Sequence, residues 1–147
     1  MPDDALDRDI ILAVLPSAED CVLLEKILSA RGWKIRFVDG LRRLSPSQLA
    51  SAAVVLTEAR LPGRRGWKNI LYELQRAPAP PPLIVVDRLA SEALWAEVLN
   101  LGGYDVLSKP LDATEVLHCV EAACNFRKRG PSFTPAAFAD KAHCHVA

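Results

Sequence analysis

Three unbroken apolar runs, at Ile10–Val14, 53–56 and 83–86, limit what this chain can fold into, together with a fourth at 104–107 interrupted only by Asp105. Each is too short for a buried helix. None alternates as a strand with one wet face would, so they fit strands covered on both faces, the condition of a parallel sheet. The 53–57 run reads as the central strand. The segment 33–38 differs: Trp33, Lys34, Ile35, Arg36, Phe37 and Val38 alternate, which predicts a strand near the sheet edge with one wetter face.

Helix signals lie between the runs. Ser17 offers an N-cap with Asp20 three residues on, a variant of the capping box. Cys21, Leu24, Ile27 and Leu28 then fall on one side of a helix that stops at Arg31-Gly32. Ser45-Pro46 starts a short helix with proline at its first position. Residues 58–65 read as a loop. Trp67, Ile70, Leu71 and Leu74 recur at helical spacing within 66–76. Residues 77–82, rich in proline, form a stiff connector that cannot continue a helix. Ser91 caps a helix that runs through Leu101 to Gly102-Gly103, and Asp112 with Glu115 caps the last helix, through about Lys128. The order predicts an α/β fold, a doubly wound five-stranded parallel sheet with helices on both faces. Residues 1–129 make the domain. Residues 130–147 make a tail, irregular or partly helical, too short for a DNA-binding domain.

Lys+Arg and Asp+Glu are 18 each, so net charge offers nothing to nucleic acid or to an anionic membrane. Half of the 147 residues are hydrophobic, enough for one sizeable core. No apolar run approaches the ~20 residues that span a bilayer. Met1-Pro2-Asp3-Asp4 is acidic, unlike the start of a signal peptide. A cytoplasmic protein without nucleic-acid or membrane partners is expected. Cys21, Cys119, Cys124 and Cys144 form no Cys-x-x-Cys pair and read as reduced, mostly buried thiols. His143-Cys144-His145 makes a poor closed metal site, because adjacent tail ligands cannot surround an ion. No metal and no cofactor is expected.

Lys109-Pro110 closes the last run, and Leu61-Pro62-Gly63-Arg64-Arg65-Gly66 follows the 53–56 run. These features resemble the receiver domain of bacterial response regulators, the phospho-accepting module of two-component signalling. The resemblance covers about residues 9–129 and implies the flavodoxin-like receiver fold. It also implies a site on the sheet's carboxyl rim: an aspartate that attacks phosphorus, an acidic pair that holds Mg²⁺, a lysine that clamps phosphoryl oxygens, a Ser/Thr that senses the product, and a mobile aromatic. Lys109 matches the clamp. Glu58 stands four residues before Pro62, at the acceptor position, one methylene too long to place its oxygens where an aspartate would. Leu15 and Pro16 stand at the acidic pair and offer no side-chain oxygen to a hard cation. Asp87 falls at the switch hydroxyl, where its charge would repel a phosphoryl group, and Val106 at the mobile aromatic, with no ring to swing.

The chain is therefore expected to be a phosphorylation-independent, receiver-like signalling domain, an atypical member and not an enzyme. Its partner would be a histidine kinase, another regulator or a second copy of itself. Glu58, Asp87 and Lys109 each follow a strand, which places them on one rim. They are expected to form an ion-pair cluster, Lys109 with Glu58 or Asp87, with Pro110 reached through a cis peptide; the acids at 19 and 20 fall in the helix start. Two alternatives stand beside this. One is a small-anion or nucleotide sensor using a cationic rim of Arg60, Arg64, Arg65, Arg88 and Lys109, without a glycine-rich phosphate loop. The other is a remodelled but phosphorylatable receiver. Trp95, Val98 and Leu99, beside Leu94 and Leu101, give their helix an apolar arc too wide for one buried stripe and are candidate interface residues. The resemblance implies that this helix, the fifth strand and the last helix form a common partner surface. Arg127-Lys128-Arg129 is expected to offset the last helix dipole.

Overall fold

The expected strands form, and a short hairpin joins them. In chain order they are β1 (Ile10–Val14), β2 (Lys34–Val38), β3 (Val54–Glu58), β4 (Arg60–Leu61), β5 (Arg65–Gly66), β6 (Leu83–Asp87) and β7 (Asp105–Ser108). The helices are α1 (Ala18–Ser29), α2 (Pro46–Ser51), α3 (Trp67–Gln75), α4 (Glu92–Leu101) and α5 (Ala113–Arg129). The computed structural model describes residues 10–40 and 44–129. The tail call at 130–147, with its His143-Cys144-His145 cluster, lies outside the described residues, as do the side chains of Arg127, Lys128 and Arg129.

Five strands pair in parallel in the order β2-β1-β3-β6-β7. Alternate residues of each strand point to opposite faces and supply two separate cores. Ile11, Ala13, Val54, Leu56, Ile84, Val86 and Leu107 pack with Leu24 and Leu28 of α1 and Val116 and Val120 of α5. Leu12, Val14, Val55, Val85 and Val106 pack with Leu49 of α2, Ile70 and Leu74 of α3 and Val98 of α4. The double covering explains why the sequence runs are unbroken. At the edge, Lys34 and Arg36 of β2 are exposed, as the alternation of 33–38 requires.

The helix starts follow their caps. Ser17 Oγ accepts from Asp20 N–H at 3.4 Å, Ser91 Oγ from Leu94 N–H at 3.2 Å, and Asp112 Oδ2 from Glu115 N–H at 2.9 Å. Pro46 opens α2 behind a full capping box between Ser45 and Gln48. Gly102, at φ +113°, ends α4 in the left-handed conformation that glycine adopts most readily.

Two expectations need correction. The 58–65 segment holds the antiparallel β4–β5 hairpin, turned by Gly63 and Arg64 at φ +77° and +63°. Two residues per strand are too few for alternation to show in a sequence. The hairpin closes tightly: a Cβ on Gly66 would lie 2.7 Å from the Ala59 carbonyl oxygen. Second, Cys119 is buried, but Cys21 and Cys124 are only half-buried; none of the three is in a disulfide. Burial, then the charges of Asp20 and Glu25, push the Cys21 thiol up.

Tyr104 precedes β7, its ring 5.5 Å from that of Phe126 on α5. Its hydroxyl is buried without a hydrogen-bond partner. Burial, then Cys119 and Asp105, push its pKa up to about 12 from 10. Tyr104→Phe should therefore hold or raise stability, by up to about 1 kcal/mol in urea denaturation, since it removes an unsatisfied polar group. The unfolded tyrosine ionises first, so Tyr104 lowers stability as pH rises from 10 towards 12, and the phenylalanine variant should lose that part of the alkaline decline.

Candidate functional site

The carboxyl ends of β3, β6 and β7 meet at one rim. Glu58 ends β3, Asp87 ends β6, and Lys109 follows β7, as strand counting predicts. Lys109 N–H donates to the Asp87 carbonyl at 3.1 Å, which carries the sheet pattern one step past β7, and the Lys109–Pro110 peptide is cis.

Lys109 is the centre of charge here. Its Nζ lies 2.5 Å from Asp20 Oδ2 and 2.6 Å from Glu58 Oε1. All three side chains are mostly shielded, at 15–18% exposure. Glu58 Oε1 is buried against the ammonium. Burial works against the ammonium's charge. Hydrogen bonding and Coulomb attraction from Asp20 and Glu58 outweigh it and hold the Lys109 pKa above its ordinary range.

The expected partners of Lys109 were Glu58 or Asp87. Glu58 is one, and Asp20 is the other. Asp87 turns back into its own loop, where Oδ2 accepts from the N–H groups of Leu89 at 3.3 Å and Ala90 at 3.2 Å. That turn carries Ala90 at φ +44°, a conformation uncommon outside glycine. The sequence held a hint, since an aspartate that opens a loop commonly bonds the backbone two or three residues on. Asp20 was harder to foresee. It lies six residues past the end of β1, in the first turn of α1, which rises over the same rim.

The positions that the resemblance assigns to metal and switching are apolar or committed elsewhere. Leu15 is 2% exposed within the core, its carbonyl accepting a contact from Cys21 Sγ at 3.4 Å, and Pro16 is exposed. Val106 is 1% exposed in the opposite core. Among the described residues no group of three or more His, Cys, Asp or Glu could hold a metal ion.

Lys109 also lines a cleft of about 560 Å³ between the β3–β4 turn and the β6–α4 loop, together with the acids Glu58 and Asp87, the bases Arg60 and Arg88, and apolar Trp67 and Leu94. Of the five cations expected on the rim, Lys109 is turned inward and neutralised, whereas Arg60, Arg64, Arg65 and Arg88 are exposed.

The interface residues divide. Val98 is fully buried and belongs to the core. Gly103 packs so closely on it that a Cβ there would lie 2.4 Å from Val98 Cγ1. Leu99 and Trp95 are half-buried, and Trp95 Nε1–H donates to Asp105 Oδ1 at 3.3 Å. Asp105 is itself 6% exposed and also accepts from Val106 N–H and Cys119 Sγ. The wide arc of α4 thus resolves into a core side at Val98 and an exposed end at Leu101, 46% accessible.

Lys109→Met should leave Asp20 and Glu58 facing each other without a cation, at a cost of about 2 kcal/mol, below the fully buried limit because all three groups are partly wet. Adding Asp20→Asn should recover more than half of that loss in urea denaturation. The raised Lys109 pKa contributes stability that is complete below about pH 10.5 and is lost as pH rises through the folded value. In a Tyr104→Phe background Lys109→Met should remove the part of the alkaline decline that Lys109 contributes.

No family model and no curated protein matches the sequence. Solved structures do match. A signal receiver domain from Vibrio parahaemolyticus superposes with a TM-score of 0.74 at 19% identity, over 82% of this chain and 93% of that one. The signal receiver domain of an HD domain-containing protein from Pseudomonas fluorescens Pf-5 gives 0.70 at 23% identity, over 84% and 99%. The beryllofluoride-activated NtrC4 receiver domain dimer gives 0.69 at 19% identity, over 80% and 97%. At these identities the likeness is one of fold, and on that ground the chain carries the receiver-domain fold of the response regulators.

Proposed function

We propose that the chain is a receiver-like signalling domain that acts without phosphorylation, and without catalysis of its own, through protein–protein contacts. The supporting observation is Lys109. In a working receiver, as the resemblance implies, this lysine waits for a phosphoryl group; here Asp20 and Glu58 already occupy it. The domain is in effect held in one charge state by its own carboxylates. In support, Leu15 in the core offers no side-chain oxygen to a metal, and Asp87, tied into its loop, stands where the resemblance expects the switch hydroxyl. The partner is another signalling protein, a histidine kinase or regulator, or a second copy. The NtrC4 neighbour is a receiver domain dimer, and the end of α4 at Leu101 offers this chain exposed apolar surface for such contacts.

The test uses Mg²⁺ and beryllofluoride with backbone NMR. No saturable shifts should centre on Glu58 and Lys109, and their appearance would mark a phosphorylatable receiver. Glu58→Asp corrects side-chain length but leaves Leu15, Asp87 and the Lys109–Asp20 contact in place. This variant should therefore form no acyl phosphate from acetyl phosphate by low-temperature mass spectrometry. A panel of nucleotides and inorganic phosphate should leave the melting temperature unchanged; a specific rise would favour the anion sensor.

A further inference from the structure

The outer face of α1 carries a charge pattern that is its own complement. Leu24, Ile27 and Leu28 turn this helix into the core. Glu19, Val22, Leu23 and Lys26 are exposed at i, i+3, i+4 and i+7, the spacing that lines four side chains along one helix face. Val22 is 63% exposed and Leu23 38%, so two adjacent apolar side chains meet water midway between an acid and a base. The ion pairs of α1 lie elsewhere. Asp20 reaches Lys109 and Arg31 reaches Glu121, which ties both ends of the helix to the rest of the domain. Glu19 and Lys26 make no ion pair among the described residues. Each suits its own end of the helix dipole, the acid in the first turn and the base in the last.

We infer that this stripe is a self-association surface, and that its partner is α1 of a second copy of the chain, packed antiparallel across a two-fold axis. An axis passing between Val22 and Leu23 sets Glu19 of each helix opposite Lys26 of the other, and Val22 of each opposite Leu23 of the other. Two ion pairs then flank one apolar contact, and the two helix dipoles oppose each other. Glu25 falls off this face, at about 100° of turn per residue, and meets neither charge. Charge selects this occupant. An acidic segment would meet Glu19, and a basic one Lys26, with like charge. The surface that answers both is the same stripe in reverse, and a second copy supplies it. The contact is smaller than a standard interface of about 1,600 Å², so the dimer is weak and forms on concentration. The inference rests on the reading of the chain as a protein-contact module and names one such contact, made by α1 rather than by the exposed end of α4.

Light scattering and sedimentation of the full chain should show a monomer at low micromolar concentration that becomes a dimer towards about 1 mM. Backbone NMR over the same range should move the amides of Glu19, Val22, Leu23 and Lys26. Glu19→Lys leaves two bases on the stripe and Lys26→Glu leaves two acids, so each variant alone should dimerise roughly tenfold more weakly. Mixed in equal amounts, the two variants restore both ion pairs and should form a heterodimer as tight as the unchanged chain forms with itself. Adding Val22→Ser to both should weaken that heterodimer, which separates a packed contact from bulk attraction between opposite charges. These positions are exposed, so far-UV dichroism should show the fold intact in every variant. A monomer at about 1 mM, a dimer indifferent to either charge reversal, or mixed variants no tighter than each alone overturns the proposal. Concentration-dependent shifts that map to Leu101 and α4 overturn it too, while the protein-contact reading stands; saturable beryllofluoride shifts at Glu58 and Lys109 would sink that reading itself.

Discussion

Everything in this domain depends on a parallel sheet being covered on both faces. β3 sits in the middle of the five strands, and Val54, Val55, Leu56 and Thr57 are all fully buried. No strand in that position can offer a face to water, so each residue must find a helix above or below it. α1 and α5 answer on one side, α2, α3 and α4 on the other. Because the five strands run parallel, the loops that leave the carboxyl ends of β3, β6 and β7 converge on one edge. Polar side chains excluded from the two cores gather there, and the charge cluster around Lys109 is one result.

That origin explains what the sequence disclosed. The unbroken runs at Ile10–Val14 and 83–86 gave away buried strands, and Ser17, Ser45, Ser91 and Asp112 gave away helix starts, because each signal is local. Strand order also placed Glu58, Asp87 and Lys109 on one rim. Side-chain direction was not legible. Asp87 had the right address and faced its own backbone, an outcome decided by two nearby amides rather than by the rim. Asp20 entered the site from a helix start, where the sequence pattern gave it a capping role beside Ser17 and no contact with Lys109. The hairpin at 60–66 was too short to alternate. On α4, periodicity measured the width of the apolar arc but not its orientation, so Val98 was placed at a surface when it lies beneath Gly103.

The two ends of the rim have different physical characters. Around Lys109 opposite charges meet at 2.5 and 2.6 Å with most of the water removed, so the arrangement resists change. Around Leu89 and Arg88 the side chains are open to solvent and the backbone is held by Asp87 alone among the described side chains.

The inner cluster also acts as a ratchet on the chemistry open to this fold. Freeing Lys109 for a phosphoryl oxygen means withdrawing it from two carboxylates, and the step that withdraws it leaves those two like charges in contact. Any ligand that takes Lys109 must therefore also offset the charge left on Asp20 and Glu58, and the brace at the top of α1 sets that cost before the ligand's own contacts count.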